Sequence, residues 1–161
     1  MIEFLAKRIH LLKIKSYPKK MSLIEEIKIH EDFRDKVYKC SEGFDTIGYG
    51  FAIKDLILDE DIADLILERK LEALKERINK KFDWFKESPQ EVQDVVSNMC
   101  YQIGLSGFSK FKKTIYYLET EQYEEASDEM LDSLWARQTP NRAKELSNII
   151  RSLDGHTQNC T

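Results

Sequence analysis

Cysteine is scarce in this chain and odd in number. Cys40, Cys100 and Cys160 show no CxxC spacing, which excludes a disulfide framework and a zinc site and fits synthesis in a reducing compartment. The three histidines, His10, His30 and His156, are scattered and offer no metal-ligand spacing, so neither a metal nor an organic cofactor is expected. With only six glycines and three prolines there is no low-complexity linker, and no internal repeat is visible. No stretch comes near the roughly 18 consecutive apolar residues that a membrane-spanning helix requires. Only a few apolar residues precede Lys7 and Arg8, too few for a signal peptide, and no export signal is expected.

An excess of positive charge is missing too. The chain carries a formal net charge of −4, yet residues 1–20 hold Lys7, Arg8, Lys13, Lys15, Lys19 and Lys20 against the single acid Glu3. The remaining 141 residues therefore form a strongly acidic body. Such a body argues against nonspecific nucleic-acid binding, which draws its affinity from Lys and Arg neutralising phosphates. What is present is a chain of 161 residues, 42% hydrophobic and 11% aromatic, enough to bury one sizeable core. One globular, soluble domain with two lobes is expected at residues 21–161, preceded by a basic extension at 1–20.

The elements follow from pattern. Ser22-Leu23-Ile24-Glu25 has the form of a capping box, which predicts a short helix from Leu23 to His30. From Val37 to Ile53 aromatic and β-branched residues alternate with Gly43, Gly48 and Gly50, the pattern of a small β-hairpin or meander. From about Asp59, Ile62, Leu65, Ile66, Leu71, Leu74 and Ile78 recur at helical spacing, predicting one long amphipathic helix. Ser88-Pro89 predicts a helix start with proline at its first position, running through Val92, Val95, Val96, Met99, Cys100 and Ile103 to a stop at Gly104. Two further segments, Ile115–Leu118 and Tyr123–Trp135, precede a last helix opened by Thr139-Pro140 and ending before Gly155. The class is α+β: a small β-containing lobe joined by a long helix to a helical lobe, with a cleft expected between them.

The chemically informative run is His30 to Gly50. It places Glu31 at a helix end, Cys40 nine residues later on the hairpin and Thr46 six beyond that, ahead of Ile47-Gly48-Tyr49-Gly50. In isolation, a glutamate among 29 acidic residues is ordinarily a solvated charge, and a strand threonine is ordinarily chosen for its propensity. The run resembles the active-site signature of the phage-type lysozymes, glycoside hydrolase family 24: Glu, eight residues, Asp or Cys, five residues, Thr, then an Ile-Gly-x-Gly run. Downstream, Asn98-Met99-Cys100-Tyr101-Gln102-Ile103-Gly104 and Trp135-Ala136-Arg137-Gln138-Thr139-Pro140-Asn141-Arg142-Ala143 resemble two further blocks of that family in the same order. The resemblance covers roughly residues 21–153 and implies a lysozyme-like fold.

The resemblance assigns roles residue by residue. Glu31 would be the general acid that protonates the leaving oxygen, a task near neutral pH that calls for burial in the cleft. Thr46 would hold the attacking water with its hydroxyl. Cys40 takes the rarer option at a position where most relatives carry Asp. It is open between nucleophile, electrostatic aid and spectator, with Glu42 and Asp45 as neighbouring acids. Ala52, Tyr101 and Thr114 fall where family members line the cleft. Arg142 matches an arginine that lies near the acid in the family and would orient it. Gln102 and Trp135 are expected to pack behind the cleft, and Glu129 has no expected role.

The implied activity is that of an endolysin: a monomeric endo-muramidase that hydrolyses the β-1,4 bond between N-acetylmuramic acid and N-acetylglucosamine, with peptidoglycan glycan strands as partner. By the same resemblance it would be made in a host cytoplasm and reach the wall through a holin-made lesion. Two alternatives stand: a lytic transglycosylase, against which Thr46 argues, and a glycan-binding relative in which Cys40 marks lost catalysis. Residues 1–20, with Phe4-Leu5 and Ile9 to Ile14 among lysines, form a candidate contact for anionic envelope lipids.

Overall fold

The computed structural model of the chain describes residues 21–154. The basic extension and its lipid contact, the stop at Gly155, His156 and Cys160 lie outside the described residues. The chain divides into two compact units, with the boundary between Leu58 and Asp59.

The first unit begins with helix α1, Leu23–Glu31. Its capping box is formed in both directions: the Glu25 amide donates to Ser22 Oγ at 3.2 Å, and the Ser22 amide donates to Glu25 Oε2 at 2.7 Å. These bonds hold the Glu25 carboxyl below the usual carboxylate range. The helix ends one residue beyond the expected His30, where Asp32 takes a positive φ of 54° and turns the chain into the sheet. Strands β1 (Arg34–Lys39), β2 (Asp45–Gly48) and β3 (Phe51–Ala52) form an antiparallel meander in the order β1-β2-β3. The expected hairpin starts earlier than Val37, because Arg34 already pairs with Gly48. The register shifts between Arg34 and Tyr38, beyond which Tyr38 faces Thr46. A short 3₁₀ turn, Ile53–Asp55, follows.

The second unit is helical and holds the core. Helix α2, Glu60–Asn79, is the long amphipathic helix expected, and it buries Leu74 and Ile78 from its C-terminal half. Helix α3, Gln90–Phe108, carries Val92, Val95, Val96, Met99 and Cys100 on one buried stripe, the i, i+3, i+4, i+7, i+8 positions of a 3.6-residue period. Two boundary expectations change here. Pro89 is the cap of α3 rather than its first helical residue, because its ψ of 150° is extended. Gly104 interrupts α3 but does not end it, since helical structure resumes to Phe108.

Helices α4 (Lys112–Glu119), α5 (Tyr123–Leu131), α6 (Leu134–Gln138) and α7 (Pro140–Ser152) complete the unit. The single segment expected over Tyr123–Trp135 is two helices. The chain breaks at Asp132, and Ser133 caps α6 by accepting from the Ala136 amide at 3.0 Å. Pro140 does stand at the start of α7, as read from Thr139-Pro140. Helix α5 packs against α4 and α7, closing around Ala126, Met130, Ala143 and Ile150, all fully buried. Arg151 ties α7 to α5 by donating from Nε to Ser127 Oγ at 3.2 Å and pairing with Asp128. Among the described residues, a three-stranded sheet and seven α-helices bear out the α+β class.

Gly104 has φ 73° and ψ 158°, a backbone region that only glycine occupies without strain, and a Cβ there would meet nothing within 4 Å. Gly104→Ala should therefore cost about 1–3 kcal/mol through backbone strain alone. Thermal or urea unfolding measures it, and an unchanged midpoint contradicts the reading.

Candidate active site

In the first unit Glu31 is the last residue of α1, and its side chain lies over the turn between β2 and β3. A Cβ added at Gly50 would stand 2.9 Å from Glu31 Oε2 and 3.7 Å from its Cδ. The φ of 78° is what favours glycine at position 50, and the Glu31 carboxylate lies close over it. Gly48 makes the companion turn position, φ 69°, under the ring of Phe51. Between the two glycines Tyr49 packs against Phe33, ring centroids 5.3 Å apart, and Lys28 Nζ lies 5.6 Å from the Tyr49 ring centre. This cluster fixes the turn under the acid. Glu31 is exposed, and α1 buries none of its side chains.

Cys40 and Thr46 meet at the other turn. The Cys40 amide donates to the Phe44 carbonyl at 3.0 Å and the Gly43 amide to the Cys40 carbonyl at 2.9 Å, closing the loop between β1 and β2. The loop turns the backbone N–H groups of Phe44 and Glu42 toward the half-buried sulfur, and the Thr46 hydroxyl joins them. These donors hold the thiol below its ordinary range, against burial and the nearby Glu42 charge, which push it up. Thr46 is buried, and its Oγ1 donates to the Phe44 carbonyl at 3.1 Å. Its one proton therefore has two acceptors, that carbonyl and the sulfur. Asp45, a candidate substitute charge, is instead ion-paired with Lys39 at 2.9 Å. Ala52, on β3, faces Thr46 directly across the ladder.

The other expected site residues belong to the second unit. Trp135 Nε1 donates to Gln102 Oε1 at 2.9 Å, which joins α6 to α3. Gln102 lines a concavity of about 300 Å³ together with Thr139, Asn141 and Arg142. Thr114 is buried at the wall of a cavity of about 600 Å³ floored by Phe111, Ile103 and Trp135. Tyr101 is 52% exposed on α3. Glu129, given no role from sequence, is ion-paired with Lys113 at 2.8 Å on the same cavity. That pair spans α4 and α5, sixteen residues apart, and no local motif signals it.

Comparison with known proteins adds three findings. A family model described as phage lysozyme matches residues 28–151. Probable T4-type lysozyme 1 of Dictyostelium discoideum is 26% identical over an alignment that takes in 81% of this chain and 94% of that protein. The pre-baseplate central spike protein Gp5 of Enterobacteria phage T4 is 27% identical over 81% of this chain, but the match spans only 28% of that longer protein.

The two described cysteines should differ sharply in reactivity. Burial pushes the Cys100 thiol up to about 12, whereas Cys40 is held low by its hydrogen-bond donors. In a Cys160→Ser background, Cys40 should alkylate with a midpoint below the free-thiol value of about 8.5 while Cys100 stays unreactive until unfolding. Thr46→Val should raise the Cys40 midpoint, and no change on that substitution would remove the hydroxyl from the sulfur's environment.

Proposed function

Given that this chain belongs to the phage lysozyme family, whose members are peptidoglycan hydrolases, we propose that it is an endo-muramidase that cleaves the β-1,4 bond between N-acetylmuramic acid and N-acetylglucosamine. The observation that supports the reading is that one unit holds Glu31 at the end of α1, over the turn between β2 and β3, and Cys40 beside Thr46 at the loop between β1 and β2. Residues 21–161 form the lysozyme domain, and residues 1–20 are a basic extension that touches anionic envelope lipid. The protein acts as a monomeric endolysin, made in a host cytoplasm and released late to the wall for lysis.

The chemistry follows from the side chains. Glu31 gives a proton to the glycosidic oxygen as the C1–O bond breaks and positive charge spreads over C1 and the ring oxygen. A water molecule, held by a lone pair of Thr46 Oγ1, attacks C1 from the opposite face. Its proton passes to the Cys40 sulfur, which is held toward the thiolate by the Phe44 and Glu42 amides. The thiolate also offsets the developing charge, the work that a carboxylate does at this position in most of the family. Ala52 beside Thr46, and Tyr101 and Thr114 on the second unit, contact the glycan.

Digestion of purified peptidoglycan in heavy-oxygen water tests the bond and the reaction together. The reading expects muramic-acid reducing ends that carry one solvent oxygen. Anhydro ends would make the protein a transglycosylase, and labelled N-acetylglucosamine ends would make it a glucosaminidase. For Cys40, we expect Cys40→Ser to lose activity roughly 100-fold, the scale of a lost general base, and Cys40→Asp to retain it. The sulfur must be deprotonated to work, so activity falls as pH drops through its pKa. Cys40→Asp should move that acid limb toward the carboxylate value of about 3.9. Equal rates for wild type and Cys40→Ser would make Cys40 a spectator.

A further inference from the structure

The second unit holds a hollow of about 660 Å³ whose wall contains three cations and no acid. Leu131, Ala136 and Pro140 supply apolar surface, and Arg137, Lys144 and Arg151 supply charge. Lys144 and Arg151 stand seven residues apart on one face of α7 with Asn148 between them, and Arg137 reaches the same hollow from α6. Arg151 is held in place by Ser127 and Asp128, with Glu124 Oε1 4.0 Å from its guanidinium. Arg137 and Lys144 pair with no carboxylate among the described residues.

Two unpaired cations facing one hollow repel each other, and an anion between them removes that cost. The volume lies within the range of small-molecule sites, about 300–1,000 Å³, and is far too large for a bare ion. An arginine fork and an ammonium from two different helices suit an acceptor whose oxygens point in several directions, as those of a phosphate do and those of a planar carboxylate do not. The apolar side accommodates the carbon chain of an ester. We propose that this hollow binds an organic phosphate of the glycerol-phosphate type, the chemistry shared by anionic phospholipid headgroups and free glycerophosphate esters. The site is separate from the groups assigned to hydrolysis and stands independently of that reading.

The test compares the full chain with its Arg137→Gln/Lys144→Gln variant. Glycerol phosphate should shift the backbone amide signals around Arg137 and Lys144, and the double variant should bind it about tenfold more weakly, the loss of two charge-assisted contacts. Succinate at the same concentration should produce no such shift. Both side chains are exposed, so the thermal midpoint should not move; each single variant, with a smaller loss, carries the test if the double variant fails to fold. Co-sedimentation with phosphatidylglycerol vesicles, against phosphatidylcholine, separates the two sources. Retention that falls in the double variant identifies the lipid headgroup, and vesicles that fail to compete with glycerol phosphate for the Arg137 and Lys144 signals, a readout independent of residues 1–20, identify the free ester. Equal affinity of both proteins for glycerol phosphate, or succinate bound as tightly, overturns the proposal.

Discussion

The Glu31 carboxylate lies close over the bare backbone of Gly50. A Cβ at Gly50 would press on the carboxylate, and the same residue needs a positive φ to close the turn from β2 to β3. The first unit has little else to hold it. Its interior residues, Thr46 and Gly48, are small, and α1 buries nothing, so hydrophobic packing contributes little to the acid's position. The site's geometry rests on short-range backbone constraints instead: a reciprocal helix cap, two glycine turns, and a loop whose amides converge on a sulfur. Such constraints fix directions well and resist large substitutions poorly.

The second unit is built on the opposite principle. The apolar stripe of α3 gives the surface on which the other helices close, and buried Phe85, Phe108 and Met130 fill it. Its polar groups sit at the margins: the Trp135–Gln102 bond, the Lys113–Glu129 pair and the cationic hollow by α7. A rigid helical body of this kind tolerates surface variation, so contact residues can change while the fold stays. The relatives fit that description, since about a quarter of positions are identical across most of this chain.

Legibility from sequence followed the range of the interactions. The capping box at Ser22 and Glu25, the glycine turns and the stripe of α3 are local patterns, and each stands where its spacing put it. The errors fell at boundaries, where one backbone angle decides. Pro89 caps α3 from outside, and Asp132-Ser133 divides a segment whose apolar period runs through without a break. The pairing of Glu129 with Lys113 and the isolation of Arg137 and Lys144 from acids depend on contacts between helices, which no window of sequence displays. Glu31, Cys40 and Thr46 were singled out by family resemblance and not by composition, because one glutamate among 29 acids carries no mark of its own. The two amide donors to the Cys40 sulfur, of Phe44 and Glu42, belong to the loop's backbone and were invisible for that reason.

The claim on which the account turns is that Glu31 delivers the proton to the departing sugar. Release of reducing ends from purified peptidoglycan by Glu31→Gln, beside its retention on the same insoluble wall, tests that most directly. The account predicts that release falls by at least about 100-fold, the scale of a lost general acid, while wall retention stays at the wild-type level. Release at the wild-type rate by Glu31→Gln would contradict it and move the acid to another residue.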